Sequence, residues 1–405
     1  MKGNGANMLK CGTKAGIFYL SMGHFAADFY NNFLPVLLPL IMVKLDMSLT
    51  MCGVLVMVLA FMASTIQPFV GYVVDRHDCG SWLVWAVPLC GLFICLAGYA
   101  PNQPVLFLLC ALMGLMVAII HPLGIALLDK VGTAKYLGRY MSFYIVSGNV
   151  GFAIVPVVVT AFIEYFSLEL LPLLAIPGFL LGAAYYFSGI YCLPSANAKK
   201  SRLARENGQD RGQNISFREI VSNRAVVMLN AAQALRCWTH VAVSTFLPLV
   251  LLSHGYSSMM AGSLLAVFLL GSAAGGISGG ELGDRFGHKR LIVTYLAVSA
   301  LPILFFFEYP DAGIWTMLAL FLGGACSHGT QPSSIVWTGR LMPKYIGVAS
   351  GMMMGLCFGL GSVGAAITAA LGDYVGLETA MLLSVLPMAV AAIITALTPY
   401  PKVEG

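Results

Sequence analysis

Two charged side chains stand alone inside long apolar stretches of the 405-residue sequence. Asp28 interrupts "SMGHFAADFYNNFLPVLLPL", and Arg236 interrupts "LRCWTHVAVSTFLPLVLL". In hydrocarbon each costs roughly 2.5–3.5 kcal/mol on insertion scales, so a charge kept there marks a functional site by default. An aspartate can carry a proton or pair with a cationic group, whereas the planar fork of arginine suits a carboxylate or a phosphonate. His24 precedes Asp28 by four residues and His240 follows Arg236 by four, so each pair shares a helix face. Histidine titrates near neutral pH and can relay protons. His121, His328 and Gln331 lie in two further apolar stretches, and Asn31 and Asn32 extend the polar wall beside Asp28. The bland alternatives are a static ion pair and hydrogen bonds between helices.

Positioning these groups falls to membrane-spanning helices. The sequence is 59% hydrophobic and only 10% charged, with a mean hydropathy of +0.85; soluble domains carry roughly 25% charged residues. Stretches of about 20 apolar residues are what hydrocarbon some 30 Å thick requires. Twelve are expected, over residues 15–44, 49–74, 82–99, 104–129, 138–163, 168–192, 222–252, 259–282, 289–307, 313–339, 346–371 and 378–398. Lys and Arg near span ends are retained in the cytoplasm. With the N-terminus inside, 20 of the 22 basic residues fall on that side, the exceptions being Lys44 and Arg236. Both termini are therefore expected to be cytoplasmic, and the net charge of +5 reflects this bias rather than affinity for nucleic acid. No cleavable signal is expected before the first span, which then acts as the insertion signal. The ten cysteines form no metal-ligand or C-x-x-C pattern and read as small apolar packing residues.

The chain repeats itself. "GYVVDRHDCG" places Gly71, Asp75 and Arg76 after the second span, and "GELGDRFGHKR" places Gly280, Asp284, Arg285, Gly287, Lys289 and Arg290 after the eighth, with Asp75 and Asp284 209 residues apart. "GLMVAIIHP" and "GACSHGTQP", "FLPVLL" and "FLPLVL", and "YLG" and "YIG" recur in the same order at offsets of 209 to 213. Two parallel six-helix halves follow, residues 1–193 and 222–405, joined by a polar cytoplasmic linker, 194–221. Two-halved secondary transporters are built this way, with the solute site near the midplane.

On these motifs the chain resembles the major facilitator superfamily, whose G-x-x-x-D-R-x-G-R-K loop joins spans two and three and recurs more loosely between eight and nine. The second copy here is nearly complete; the first departs after Arg76. The resemblance implies the superfamily fold, a gating role for the two loops, and a central cavity lined by spans one, four, seven and ten, on which Asp28, His24, His121, Arg236, His240, His328 and Gln331 all fall. "SMGHFAADFYNNFLPVLLPL", "QPFVGYVVD", His121–Pro122 and "VSGNVG" resemble more closely the branch that confers fosmidomycin resistance. That branch often carries Glu after His-Pro, where this chain has Leu123, so no proton role is carried over for that position. "SGNVGFAIVP" resembles the span-five motif of antiporters, although close packing by small residues would read the same.

The expected function is secondary transport by alternating access, as a proton-coupled exporter of a small anionic or zwitterionic solute or drug. Asp28, His24 and His121 would couple protons; Arg236, His240, His328, Gln331, Asn31 and Asn32 would bind the solute, with protonation of Asp28 weakening its competition for Arg236. A proton-coupled importer of a small organic anion and a transporter-like membrane sensor remain open alternatives. No catalytic constellation, cofactor or metal is expected. The partners expected are solute, protons and lipid, with the protein a multi-pass monomer in the bacterial inner membrane.

Overall fold

A computed structural model describes residues 12–132, 137–195, 222–342 and 351–400, and no strand occurs among them. Span one is α1 (Thr13–Asn31) and α2 (Phe33–Lys44); span two is α3 (Leu49–Ser64) and α4 (Gln67–Arg76). Spans three to five are α5 (Trp82–Ala97), α6 (Gln103–Val131) and α7 (Leu137–Phe166). Span six runs from a tight 3-10 stretch, Leu168–Ala175, into α8 (Ile176–Ser188). The later spans are α9 (Arg224–Ser253), α10 (Ser258–Phe286), α11 (His288–Glu308) and α12 (Ile314–Leu341). Span eleven is a π turn, Met352–Leu356, followed by α13 (Cys357–Val375); span twelve is α14 (Leu377–Leu383) and α15 (Leu386–Leu397). Ten of the twelve spans are long and apolar enough to cross a bilayer unaided, and the shorter Trp82–Ala97 and the more polar Ile314–Leu341 complete the set. Twelve crossings return the chain to the cytoplasmic side that its basic residues mark. Residues 196–221 of the expected linker lie outside the described residues.

The chain forms two compact units. One comprises Met1–Asn32, Ile66–Phe152 and Tyr165–Ser216; the other comprises Phe33–Thr65, Ala153–Glu164 and Phe217–Gly405. The chain crosses from unit to unit once inside span one, once inside span two and twice inside span five, and a proline closely follows three of these crossings: Pro35, Pro68 and Pro156. Proline lacks the helical N–H, and its ring crowds the carbonyl four residues back, here that of Asn31, Ser64 or Phe152. Accordingly α1 ends at Asn31 and α3 at Ser64, whereas α7 carries Pro156 within a continuous helix.

Within each unit helices approach closely at small residues, which is how helices associate without a hydrophobic driving force. On α10, Gly271, Gly275 and Gly279 lie one turn apart against the backbone carbonyls of Phe321, Ala325 and Gly329 on α12. The duplication is visible in the packing: a Cβ on Gly71 would stand 3.8 Å from Pro122 Cβ, and one on Gly280 would stand 3.6 Å from Pro332 Cβ. Each mouth-loop glycine thus meets the proline of its own half's fourth span.

On the outer side, the loop before α12 is held by Asp311, which accepts hydrogen bonds from Gly313 N (2.8 Å) and the Thr316 hydroxyl. The Thr316 and Gly313 donors hold its carboxyl below the usual carboxylate range. A depressed folded value contributes stability above the unfolded pKa of about 3.9 that is lost as pH falls through the folded value. The first turn of α12 is therefore expected to fray only in acid. Hydrogen exchange of residues 314–317 checks this, and Asp311→Asn should bring the faster exchange to neutral pH.

Candidate functional site

α1 places His24 and Asp28 on one face, and both histidines of the first unit converge on the carboxylate. His24 Nε2 lies 3.3 Å from Asp28 Oδ2, and His121 Nε2, from α6, lies 3.0 Å from Oδ1. The other ring nitrogens are anchored as well. His24 Nδ1 is 2.8 Å from the Tyr144 carbonyl on α7, and His121 Nδ1 is 3.1 Å from Gln67 Nε2 at the start of α4. The His24 ring stacks on Tyr144 at 4.2 Å and meets His121 edge-on at 4.9 Å.

A carbonyl oxygen only accepts, so His24 Nδ1 donates to Tyr144. A further proton between His24 Nε2 and Asp28 Oδ2, carried as imidazolium beside carboxylate or as neutral imidazole beside carboxylic acid, would make their 3.3 Å contact a hydrogen bond. With the Gln67 amide nitrogen donating to His121 Nδ1, His121 is neutral and donates from Nε2 to Oδ1. Without that proton two acceptors face each other at 3.3 Å. His24, Asp28 and His121 also bring one metal-ligand atom each within 4.8 Å of one another.

Gly148 on α7 permits the cluster. A Cβ there would fall 2.7 Å from His24 Nε2 and closer still to Asp28 Oδ2. Gly148→Ala is expected to separate the pair, lowering stability by about 1–3 kcal/mol. Thermal unfolding of the variant against wild type tests this.

The second unit holds the other polar group. α9 carries Gln233, Arg236 and His240 on one face, and α12 carries His328 and Gln331. Arg236 is fully buried. Its Nη2 donates to Cys237 Sγ (3.0 Å), and its guanidinium carbon stands 5.4 Å from the centre of the Phe358 ring. Nε and Nη1 have no hydrogen-bond partner among the described residues; nor do Gln233 Nε2, His328 Nδ1 and Gln331 Oε1. The His240 and His328 rings lie 5.3 Å apart, with Phe268 and Phe358 around them. A buried unsatisfied group costs about 1–3 kcal/mol, and more when charged. Five such atoms lie on two helices, α9 and α12, of one unit.

Asp28 lies in the first unit and Arg236 in the second. Asn32 is buried and donates from Nδ2 to Phe152 O (3.0 Å), a helix-to-helix bond, whereas Asn31 Oδ1 has no hydrogen-bond partner among the described residues. Of the mouth loops, Arg76 stacks over Tyr72 at 3.7 Å, and the Asp75 side chain lies outside the described residues. Asp284 meets His288 Nε2 at 3.3 Å, Arg285 flanks Phe286, and Lys289 donates to the Thr398 carbonyl at 2.7 Å. Gly287 turns the chain at φ 91°, and Arg290 is exposed. Gln67, Tyr144, Gly148 and Gln233 were not singled out by residue type. Gln67 and Gly148 do stand in the family-like "QPFVGYVVD" and "VSGNVG".

The sequence matches the description of the Major Facilitator Superfamily over residues 20–263 and 229–405. The MFS-type transporter YfnC of Bacillus subtilis (strain 168) is 26% identical over 90% of this chain and 88% of its own. The fosmidomycin resistance protein of Escherichia coli (strain K12) is 24% identical over 93% and 91%. Among solved structures, an inward-facing bacterial homologue of the human lysosomal transporter Spinster superposes with a TM-score of 0.73 at 13% identity, covering 95% of this chain and 96% of that one.

Proposed function

Since the chain belongs to the major facilitator superfamily, a family of membrane transporters rather than enzymes, and is a multi-pass protein of the bacterial inner membrane, we propose that it is a proton-coupled exporter of a small anionic solute. The observation that carries this reading is the buried Arg236 guanidinium, two of whose nitrogens have no hydrogen-bond partner among the described residues. An anion supplies the missing acceptors, and a carboxylate or phosphonate matches the fork. His240, His328 and Gln331 complete the binding wall, and Asn31 adds an acceptor near Asp28.

Coupling rests on the shared proton of His24 and Asp28. Its loss drives the pair apart and its return restores the contact, so the proton selects between two arrangements of α1 against α6 and α7. Solute and proton are then linked reciprocally. Export is favoured by the likeness to a fosmidomycin resistance protein and by the Gly-rich, proline-containing stretch of span five. The two mouth loops would latch the cytoplasmic side in one state.

The reading is tested in proteoliposomes loaded with small organic carboxylates and phosphonates. An imposed pH gradient should drive their movement against the proton flow. Equal flux with and without the gradient would remove the coupling, and the absence of counterflow for every anion would remove the solute class.

A further inference from the structure

The outer start of span two is capped by a residue of span eleven. Asp373, at the end of α13, accepts hydrogen bonds from Leu49 N (3.0 Å), Thr50 N (2.8 Å) and Thr50 Oγ1 (2.6 Å). Ser48 Oγ accepts from Met51 N at 3.2 Å. The first three free N–H groups of α3 are thus satisfied, two of them by a carboxylate 323 or more residues away in sequence. An anion at a helix N-terminus also meets the positive end of the helix dipole.

Below this cap α3 and α13 touch through small residues. A Cβ on Gly53 would fall 2.5 Å from Ala369 Cβ, and one on Gly372 would fall 3.0 Å from Leu49 Cδ1. Farther in, Gly355 meets the Ser64 carbonyl and Gly359 the Thr65 hydroxyl. Both helices belong to the second unit, and α3 is severed from the rest of its own span at Thr65–Ile66, ahead of Pro68. Alternating access in a two-halved transporter requires the outer ends of spans from opposite halves to part. Here those ends are joined by one exposed carboxylate holding three donors, on a segment with a break behind it.

We propose that Asp373 is the outer latch of the transporter. Its carboxylate, by capping α3, holds the outer mouth shut, and the cap is released each time that mouth opens, with span two flexing at Thr65–Ile66. Asp373 acts by positioning α3 and touches no solute. The proposal follows from this contact and from the family fold; it is independent of the roles given above to Asp28 and Arg236.

Native Cys52, buried on α3 one turn beyond the cap, reports on the latch. Membrane-impermeant maleimide is applied from the outer side of intact cells or right-side-out vesicles, with Cys52→Ser as the blank. Asp373→Ala should raise the rate of Cys52 labelling about tenfold or more by shifting the population toward the open mouth, and Asp373→Glu should return it toward wild type. A second variant carries Thr50→Cys with Asp373→Cys. Once oxidised it should protect Cys52 below the wild-type level, and reductant should reverse this. Unchanged labelling in a folded Asp373→Ala protein would overturn the proposal. So would wild-type labelling of the oxidised double variant, which decides the matter if Asp373→Ala fails to fold.

Discussion

Asp28→Asn is expected to lower gradient-driven transport about 100-fold, the upper range of typical coupling energies, while leaving counterflow of solute intact. The reason is the geometry of the trio. An asparagine side chain can donate from Nδ2 to His24 Nε2 and accept at Oδ1 from His121 Nε2, preserving contacts of 3.3 and 3.0 Å without carrying a transferable proton. It keeps the hydrogen-bonding pattern of the protonated state with no proton that can leave. Unlike a truncation to alanine, it leaves no buried imidazole without a partner, so loss of coupling in this variant is not a folding defect. Parallel flux assays with and without a pH gradient separate the two quantities. Unimpaired gradient-driven flux in Asp28→Asn would remove Asp28 from the coupling step.

Arg236→Met is the second large effect. Hydrogen bonds to a charged group contribute about 1.5–3 kcal/mol, so anion affinity should fall roughly 10- to 150-fold. Stability should move the other way. The guanidinium is fully buried, with two nitrogens unpartnered among the described residues, a desolvation cost that methionine of similar length removes. A higher melting temperature together with weaker anion binding is the signature of a residue kept for function at the expense of stability. Arg236→Lys retains the charge but loses the planar fork, and should bind more weakly than wild type. Unchanged affinity in both variants would sink the binding role.

The transmembrane architecture was legible because it rests on strong local signals. Runs of apolar residues of spanning length and the segregation of Lys and Arg to one side need no tertiary information, and the spans fall where those signals put them, with residues 346–350 of span eleven outside the described residues. The punctuation at Gly71 and Gly280 is legible for the same reason, since each glycine answers to a proline, Pro122 or Pro332, in its own half. The intramembrane charges were legible by their cost. The breaks at Asn32 and Thr65 were not read from sequence, although Pro35 and Pro68 announce them, because a proline in a span bends or severs it according to its neighbours.

The site residues that residue type did not reveal act through the backbone or through shape. Tyr144 matters for its carbonyl and ring face, Gly148 for the side chain it lacks, and Gln67 for orienting a histidine 54 positions away. No motif in the sequence marks Asp373. Its meaning depends on Leu49 and Thr50, more than 320 residues earlier, and no periodicity or spacing carries that pairing.

The account turns on a single exchange, solute against proton. Its most direct test is simultaneous recording of internal pH and solute flux in proteoliposomes of wild type and Asp28→Asn, under an imposed outward gradient of a small organic anion and with no initial pH difference. The account predicts that solute movement in the wild type drives proton movement in the opposite direction, and that Asp28→Asn moves solute with no pH change. Solute flux in the wild type with internal pH unchanged, or equal pH changes in both proteins, would contradict it.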